Sequence, residues 1–220
     1  MKAQAYVEPV LRMANAVNAM DISKPQVYGN YLAQTFYYVS HSTRMLAFAA
    51  GLMKREDESY FRRFIKHISE ETAHEVLAEK DLHDLGMTPE DFRHLPETRA
   101  LWEPQYYKIQ HEHPLALMGY IIALEYFACT HLPSFHAKVS SHYGGKACRF
   151  IKLHAEEDPD HTEKALELTS KLSKPLQEII LINVIQTAHT YTAMVNACVA
   201  DTELAPARPL PEFGLNSPML

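Results

Sequence analysis

The segment HAEEDPDH places His154, Asp158 and His161 at offsets of four and seven residues. In a continuous α-helix those offsets return to nearly the same azimuth, because each residue turns the chain by about 100°. One face would then carry two imidazoles and a carboxylate, a set that suits iron or manganese better than a thiolate zinc site does. The same run also fits a solvated acidic face, since Glu156, Glu157, Asp158 and Asp160 crowd together. Pro159 bears on both readings. It lacks an amide N–H, clashes with the carbonyl four residues back and pushes Asp158 away from helical dihedrals. Either one helix ends here and another starts with Pro159 at its first position, or a strained stretch lies within a metal site. Glu157 and Asp160 are then substitutes for Asp158.

Two further segments carry ligand chemistry. In HISEETAHEVLAEKDLHDLG, Glu71 and His74 form Glu-x-x-His, the i, i+3 pair by which helical bundles feed two ligands to one iron. His67 and Glu70 share the His74 side, so spacing alone does not choose among them, and a charged surface helix explains the same letters. In PLALMGYIIALEYFACTHLP, Glu125 stands among apolar residues. A carboxylate buried there must be neutral, paired or metal-bound, because an unpaired buried charge is very costly. The edge of an amphipathic helix is the ordinary alternative.

These residues require helices to position them, and the chain reads as helical throughout. Only 7 glycines occur and no stretch alternates strictly between apolar and polar. Helices are expected over about 4–20, from Pro25 through about Met53, over 58–85 with Gly86 as the stop, from Pro114 with a bend at Pro133, around His154, and over 175–199. MTPEDFRHLPETRALWEPQYY reads as proline-punctuated loop with short helical pieces, and HYGGK as a break. Residues 1–205 form one helical domain in this reading, and the proline-rich 206–220 a tail outside its core.

Composition narrows the function classes. A chain of 220 residues can bury one sizeable core. Net charge of −6 argues against nucleic-acid or anionic-membrane binding. No apolar run approaches a membrane span, and the amphipathic N-terminal stretch does not look like a secretory leader. Cys129, Cys148 and Cys198 are odd in number and widely spaced, so neither a disulfide framework nor thiolate zinc is expected, and a cytoplasmic setting is. Histidine is abundant, at 13 residues, which is compatible with metal chemistry.

The order Glu71-x-x-His74, Glu125, His154-x3-Asp158-x2-His161 resembles the heme-oxygenase-like diiron oxidases and oxygenases. The phrases YLAQTFYYVSHSTRMLAFA, EETAHEVLAEKDLHDLG and FIKLHAEEDPDHTEKAL look like their core helices, and the likeness covers about 28–195. It implies an all-α, heme-oxygenase-like bundle of about six to seven helices. It further implies two irons per chain, one held by Glu71, His74 and His154, the other by Glu125, Asp158 and His161. Some members place the first Glu seven residues before its His, where this chain has His67; the Glu-x-x-His form favours Glu71, with His67 orienting a ligand carboxylate. Dioxygen would be the co-substrate and a small, amino-acid-derived metabolite the substrate, with no nucleic acid or membrane partner and a homodimer compatible with the reading. Tyr37, Tyr38, Tyr120, Tyr126, Phe127 and Met118 are candidates to line the pocket, although aromatic core packing explains most of them. Arg44, Arg62 and Arg149 lie near the proposed ligands, but no arginine pair stands out. Related folds give the alternatives: a heme enzyme, which needs an axial His near the N-terminus where none precedes His41; a thiaminase-like enzyme, with Cys129 as the tempting nucleophile; a metal-independent quinone-cofactor-biosynthesis-like enzyme; or a non-catalytic protein that binds a metal or metabolite.

Overall fold

Proline at a first helical turn and glycine or a strained residue after the last turn punctuate this chain. The computed structural model describes residues 4–156 and 159–201, with the side chains of 4–5 and 159–164 outside that description. Among the described residues the order is α1 (Gln4–Ala19), α2 (Pro25–Val39), α3 (Ser42–Leu52), α4 (Glu58–Glu71), α5 (His74–Asp84), α6 (Pro96–His111), α7 (Leu117–Tyr143), α8 (Arg149–Ala155), α9 (Pro159–Ser170) and α10 (Lys174–Asp201). Short 3-10 turns occupy Arg55–Asp57, Pro89–Asp91 and Pro114–Ala116, and no strand occurs among these residues. The fold is all-α, as expected. It has more helices than six or seven because several long ones are broken.

The break in the expected 58–85 helix is the most consequential. Thr72 and Ala73 interrupt it, and Ala73 sits at φ 69°, in the left-handed region. A side chain there costs about 1–2 kcal/mol. The second break separates α8 from α9. Helix α8 ends at Ala155 and α9 begins at Pro159, so His154 and the start of the next helix belong to separate elements; Asp158 lies outside the described residues. The missing amide and the clash of the proline ring account for the break. A third correction concerns the expected loop after Gly86: Pro96–His111 is one helix that contains Pro104. Gly86, Gly144 and Gly145 all have positive φ, as the stop after α5 and the break after α7 require.

Helix α7 is the axis of the molecule. It packs against α1, α8, α9 and α10, and Leu117 through Ala123 are buried without interruption. Residues 114–143 are long and apolar enough to cross a membrane, which corrects the sequence expectation, yet 67% of the apolar window is buried inside the fold. That is the signature of a central core helix, which is apolar all round. Gly119 lets α10 approach closely: a Cβ there would lie 2.4 Å from the Ile180 carbonyl oxygen and 2.7 Å from Asn183 Cβ. Asn183 Nδ2 donates to the Ala116 carbonyl at 2.8 Å and to Gln105 Oε1 at 2.7 Å, tying α10 to α6 and the start of α7. The tail 206–220 lies outside the described residues.

Candidate metal centre

Helix α4 presents Arg63, His67 and Glu71 at successive i, i+4 steps, so the three lie along one face. The left-handed turn at Ala73 then redirects the chain, and α5 begins at His74 with its Nδ1 3.3 Å from Glu71 Oε2. The pair meets across a corner between two helices rather than along one helix face.

The third group arrives on α8, whose position is fixed by α5. Asp81, fully buried, accepts from the backbone N–H groups of Arg149 (3.0 Å) and Phe150 (2.9 Å) at the first turn of α8. A carboxylate at a helix N-terminus satisfies its unpaired amides and faces the positive end of its dipole. Arg149 adds an ion pair to Asp81 and another to Asp84, so it faces away from the candidate site. One turn further, His154 Nδ1 lies 2.8 Å from the Phe150 carbonyl oxygen. A carbonyl only accepts, so Nδ1 carries the proton and Nε2 keeps its lone pair, the arrangement typical of metal-ligating histidines.

Ligand atoms of Glu71, His74 and His154 all lie within 4.8 Å of one another. Two imidazoles and one carboxylate are the donor set of a non-heme iron site with open positions. Of the residues expected at the second iron, only Glu125 has a described side chain. Asp158 and Glu157 lie outside the described residues, as do the side chains of Asp160 and His161.

Between the trio and Glu125 stands His67. Its Nε2 is 3.2 Å from Glu71 Oε1 and 3.5 Å from Glu125 Oε1. Burial is the largest single influence on this imidazole and lowers its pKa, but the two carboxylates outweigh it and the net shift is upward. Glu71 moves the other way: burial opposes ionisation, and the histidines around it prevail, holding the carboxyl far below its usual range. Glu125 is raised, because burial dominates over His67 and Arg63, and its Oε2 accepts no hydrogen bond among the described residues. Burial likewise lowers His154, favouring the neutral imidazole a metal needs. Glu70 is turned outward to Arg63 (2.9 Å) and Lys66 (2.7 Å), away from the trio.

Glu71, Glu125, His67 and His154 line a cavity of about 70 Å³, with His74 behind its wall. Its walls are Val39, Met45, Leu46, Leu117, Ile121, Leu124, Phe127, Leu132 and Phe150, with hydroxyls from Tyr31, Tyr38, Ser42, Tyr120 and Tyr191. Of the aromatic candidates read from the sequence, Tyr38, Tyr120 and Phe127 line it. Tyr37 instead donates to the Pro89 and Phe92 carbonyls, and Tyr126 and Met118 are outside the lining. Arg62 pairs with Glu58 on the surface. Sequence reasoning passed over its neighbour Arg63, 4.0 Å from Glu125, although the Arg63-x3-His67-x3-Glu71 spacing was there to be read. Tyr31 and Tyr191 were also missed; their hydroxyls meet at 2.9 Å from helices 160 positions apart, and no local pattern signals that. None of the three cysteines lines the cavity.

Comparison with known proteins agrees with this architecture. A solved domain of unknown function with a heme oxygenase-like fold from Shewanella denitrificans OS217 superposes with a TM-score of 0.76. It is 17% identical, over 93% of this chain and 92% of that one. A TenA homolog from Pseudomonas syringae pv. tomato DC3000 gives a TM-score of 0.71 at 17% identity, over 90% of this chain and 92% of its own. No curated protein matches. At such identity these likenesses establish the heme oxygenase-like fold and nothing finer. The model of the iron-containing redox enzymes matches residues 29–192, a span that holds the Glu71, His74 and His154 cluster, Glu125 and the cavity. The chain therefore belongs to the iron-containing redox enzyme family.

Proposed function

We propose that this redox enzyme is a non-heme diiron oxidase or oxygenase that uses dioxygen on a small metabolite. The observation that carries the reading is the Glu71, His74 and His154 cluster, of which Glu71 and His154 line an apolar cavity, with Glu125 beyond His67 and its Oε2 without a hydrogen-bond partner among the described residues. Glu71, His74 and His154 would hold one iron; Glu125, with Asp158 and His161, would hold the other. Bound iron would supply the activation of dioxygen that no protein side chain provides.

The rest is the work of this chain's own residues. The Phe150 carbonyl fixes the His154 tautomer, and Asp81 fixes the helix that carries it. His67 orients both Glu71 and Glu125 from a single ring nitrogen. The aliphatic and aromatic walls exclude water, which protects reactive species from premature quenching. The Tyr120 hydroxyl lines the cavity beside that of Ser42, and the two would donate to a bound substrate or oxygen atom. We retain an amino-acid-derived substrate, restricted by these walls to one with an apolar body.

A specific observation favours a second reading. The described cluster is by itself a two-histidine, one-carboxylate set, which also serves mononuclear non-heme iron enzymes. The thiaminase-like alternative has no cysteine at the cavity, and the TenA likeness is one of fold. Iron-reconstituted protein with reductant should consume dioxygen only when a substrate from a panel of apolar amino-acid derivatives is added, with product identified by mass spectrometry. Glu71→Ala should abolish the coupling. Cleavage of thiamine lost in Cys129→Ser, or a Soret band in the isolated protein, would overturn the proposal.

A further inference from the structure

Behind the cavity wall lies a run of oxidisable and proton-accepting rings that the site chemistry does not use. Ser42 and Met45 of α3 line the cavity, and His41 immediately precedes them at the start of the same helix. The His41 ring lies face to face with Trp102, centroids 3.6 Å apart and planes within 9°. Its Nδ1 is 3.1 Å from the Tyr106 hydroxyl, and Tyr106 stands edge-on to Trp102 at 6.0 Å. Beyond Trp102 comes His94, whose Nε2 accepts from the indole N–H at 3.4 Å. His94 opens onto a surface groove that also contains Arg93, Arg99 and Glu103. Packing alone would favour aliphatic residues here as readily, and aromatic pairs add only about 0.5–1.5 kcal/mol each.

We propose that Tyr106, His41 and Trp102 form a proton-coupled electron relay between the cavity and the surface groove at His94. Burial holds both imidazoles neutral, with pKa values lowered to about 4, and in the Nε2-protonated tautomer His41 Nδ1 has a lone pair for the phenolic proton. When an electron leaves Tyr106 toward the cavity, its O–H bond breaks and the proton moves 3.1 Å to His41, leaving a neutral phenoxyl radical and an imidazolium. An electron from Trp102 then reduces the phenoxyl, and the proton returns from His41. A soluble one-electron donor of the ascorbate class, docked in the groove, re-reduces Trp102 across His94, which lines the groove and accepts from the indole N–H. The net result is one electron passed from that donor to a strong one-electron oxidant formed in the cavity by partial reduction of dioxygen, which is itself too weak to oxidise a tyrosine, with the relay unchanged. The physiological use rests on the dioxygen-dependent reading above; the relay itself does not.

The test uses the full chain without metal, so it stands apart from the iron question. Photogenerated tris(bipyridine)ruthenium(III) serves as the oxidant, with transient phenoxyl absorption and freeze-trapped electron paramagnetic resonance as readouts. Wild type should give a phenoxyl component whose formation slows in D2O. Tyr106→Phe should lose that component, and Trp102→Phe should slow its formation. His41→Gln should slow it and remove the deuterium dependence while the helical signal in circular dichroism is retained. Because Tyr107 is 63% exposed and will oxidise in every variant, the differences between variants decide. The same phenoxyl component in Tyr106→Phe, or kinetics indifferent to both Trp102→Phe and His41→Gln, would overturn the relay.

Discussion

Replacing Glu125 by Gln keeps the side chain's shape and removes its charge, and it should separate function from stability. In the metal-free chain the carboxylate is buried, with only 12% of its side chain exposed, and Oε2 accepts nothing among the described residues. Removing the charge would be harmful if it stranded buried cations. It does not: Arg63 keeps Glu70 at 2.9 Å, against 4.0 Å to Glu125, and His67 keeps Glu71 at 3.2 Å, against 3.5 Å. The amide still has to be buried, but without an ionic desolvation cost, so the gain is about 1–2 kcal/mol at pH 8. In a chain of this size that raises Tm by about 2–4 °C for each kcal/mol. The sign follows from linkage. The folded-state pKa of Glu125 lies above its unfolded value, so the folded chain holds this proton to higher pH. The destabilisation is therefore absent below the unfolded carboxylate range, about pH 4.3, and grows as pH rises through the folded value. Differential scanning calorimetry at pH 4 and pH 8 should show the stability gap only at pH 8, while iron content and dioxygen consumption fall. A Glu125→Gln protein less stable than wild type at pH 8 would mean that Glu125 is a structural ion-pair partner and not a group awaiting a cation.

Substitutions at three further positions probe the scaffold. Asp81→Asn weakens two charge-assisted hydrogen bonds at the start of α8 and should lower stability by about 2–3 kcal/mol in urea titrations, with weakened iron binding through His154. Ala73→Gly removes the left-handed penalty at an exposed position, so metal-free protein should unfold later by about 1 kcal/mol, whereas Ala73→Val should unfold earlier by at least as much. Gly119→Ala forces a Cβ against the Ile180 carbonyl and should cost about 1–3 kcal/mol by pushing α10 from α7, measurable as a lower urea midpoint.

The sequence was most legible where the signal was local. Helix type, the proline starts at Pro25 and Pro159, the stop at Gly86 and the long apolar helix after Pro114 all follow from periodicity and backbone chemistry. What the sequence concealed was tertiary. Spacing placed Glu71 and His74 on one helix face, but they meet because Ala73 adopts a strained turn, which no propensity favours in alanine. His154 reaches them because Asp81, 73 positions earlier, caps its helix, a long-range bond with no sequence signature. Pro159 did announce the start of a new helix. The Tyr31 and Tyr191 pair and the Tyr106, His41 and Trp102 stack are likewise products of packing between distant helices.

The most direct test of the central proposal is the iron content of anaerobically reconstituted protein, measured with Mössbauer spectroscopy on wild type, His154→Ala and His161→Ala. The diiron reading predicts about two irons per chain in wild type, with spin coupling after exposure to dioxygen. Each variant should lose iron while its helical content persists. One iron per chain, lost in His154→Ala and untouched in His161→Ala, would contradict the dinuclear centre and establish the mononuclear site of Glu71, His74 and His154 in its place.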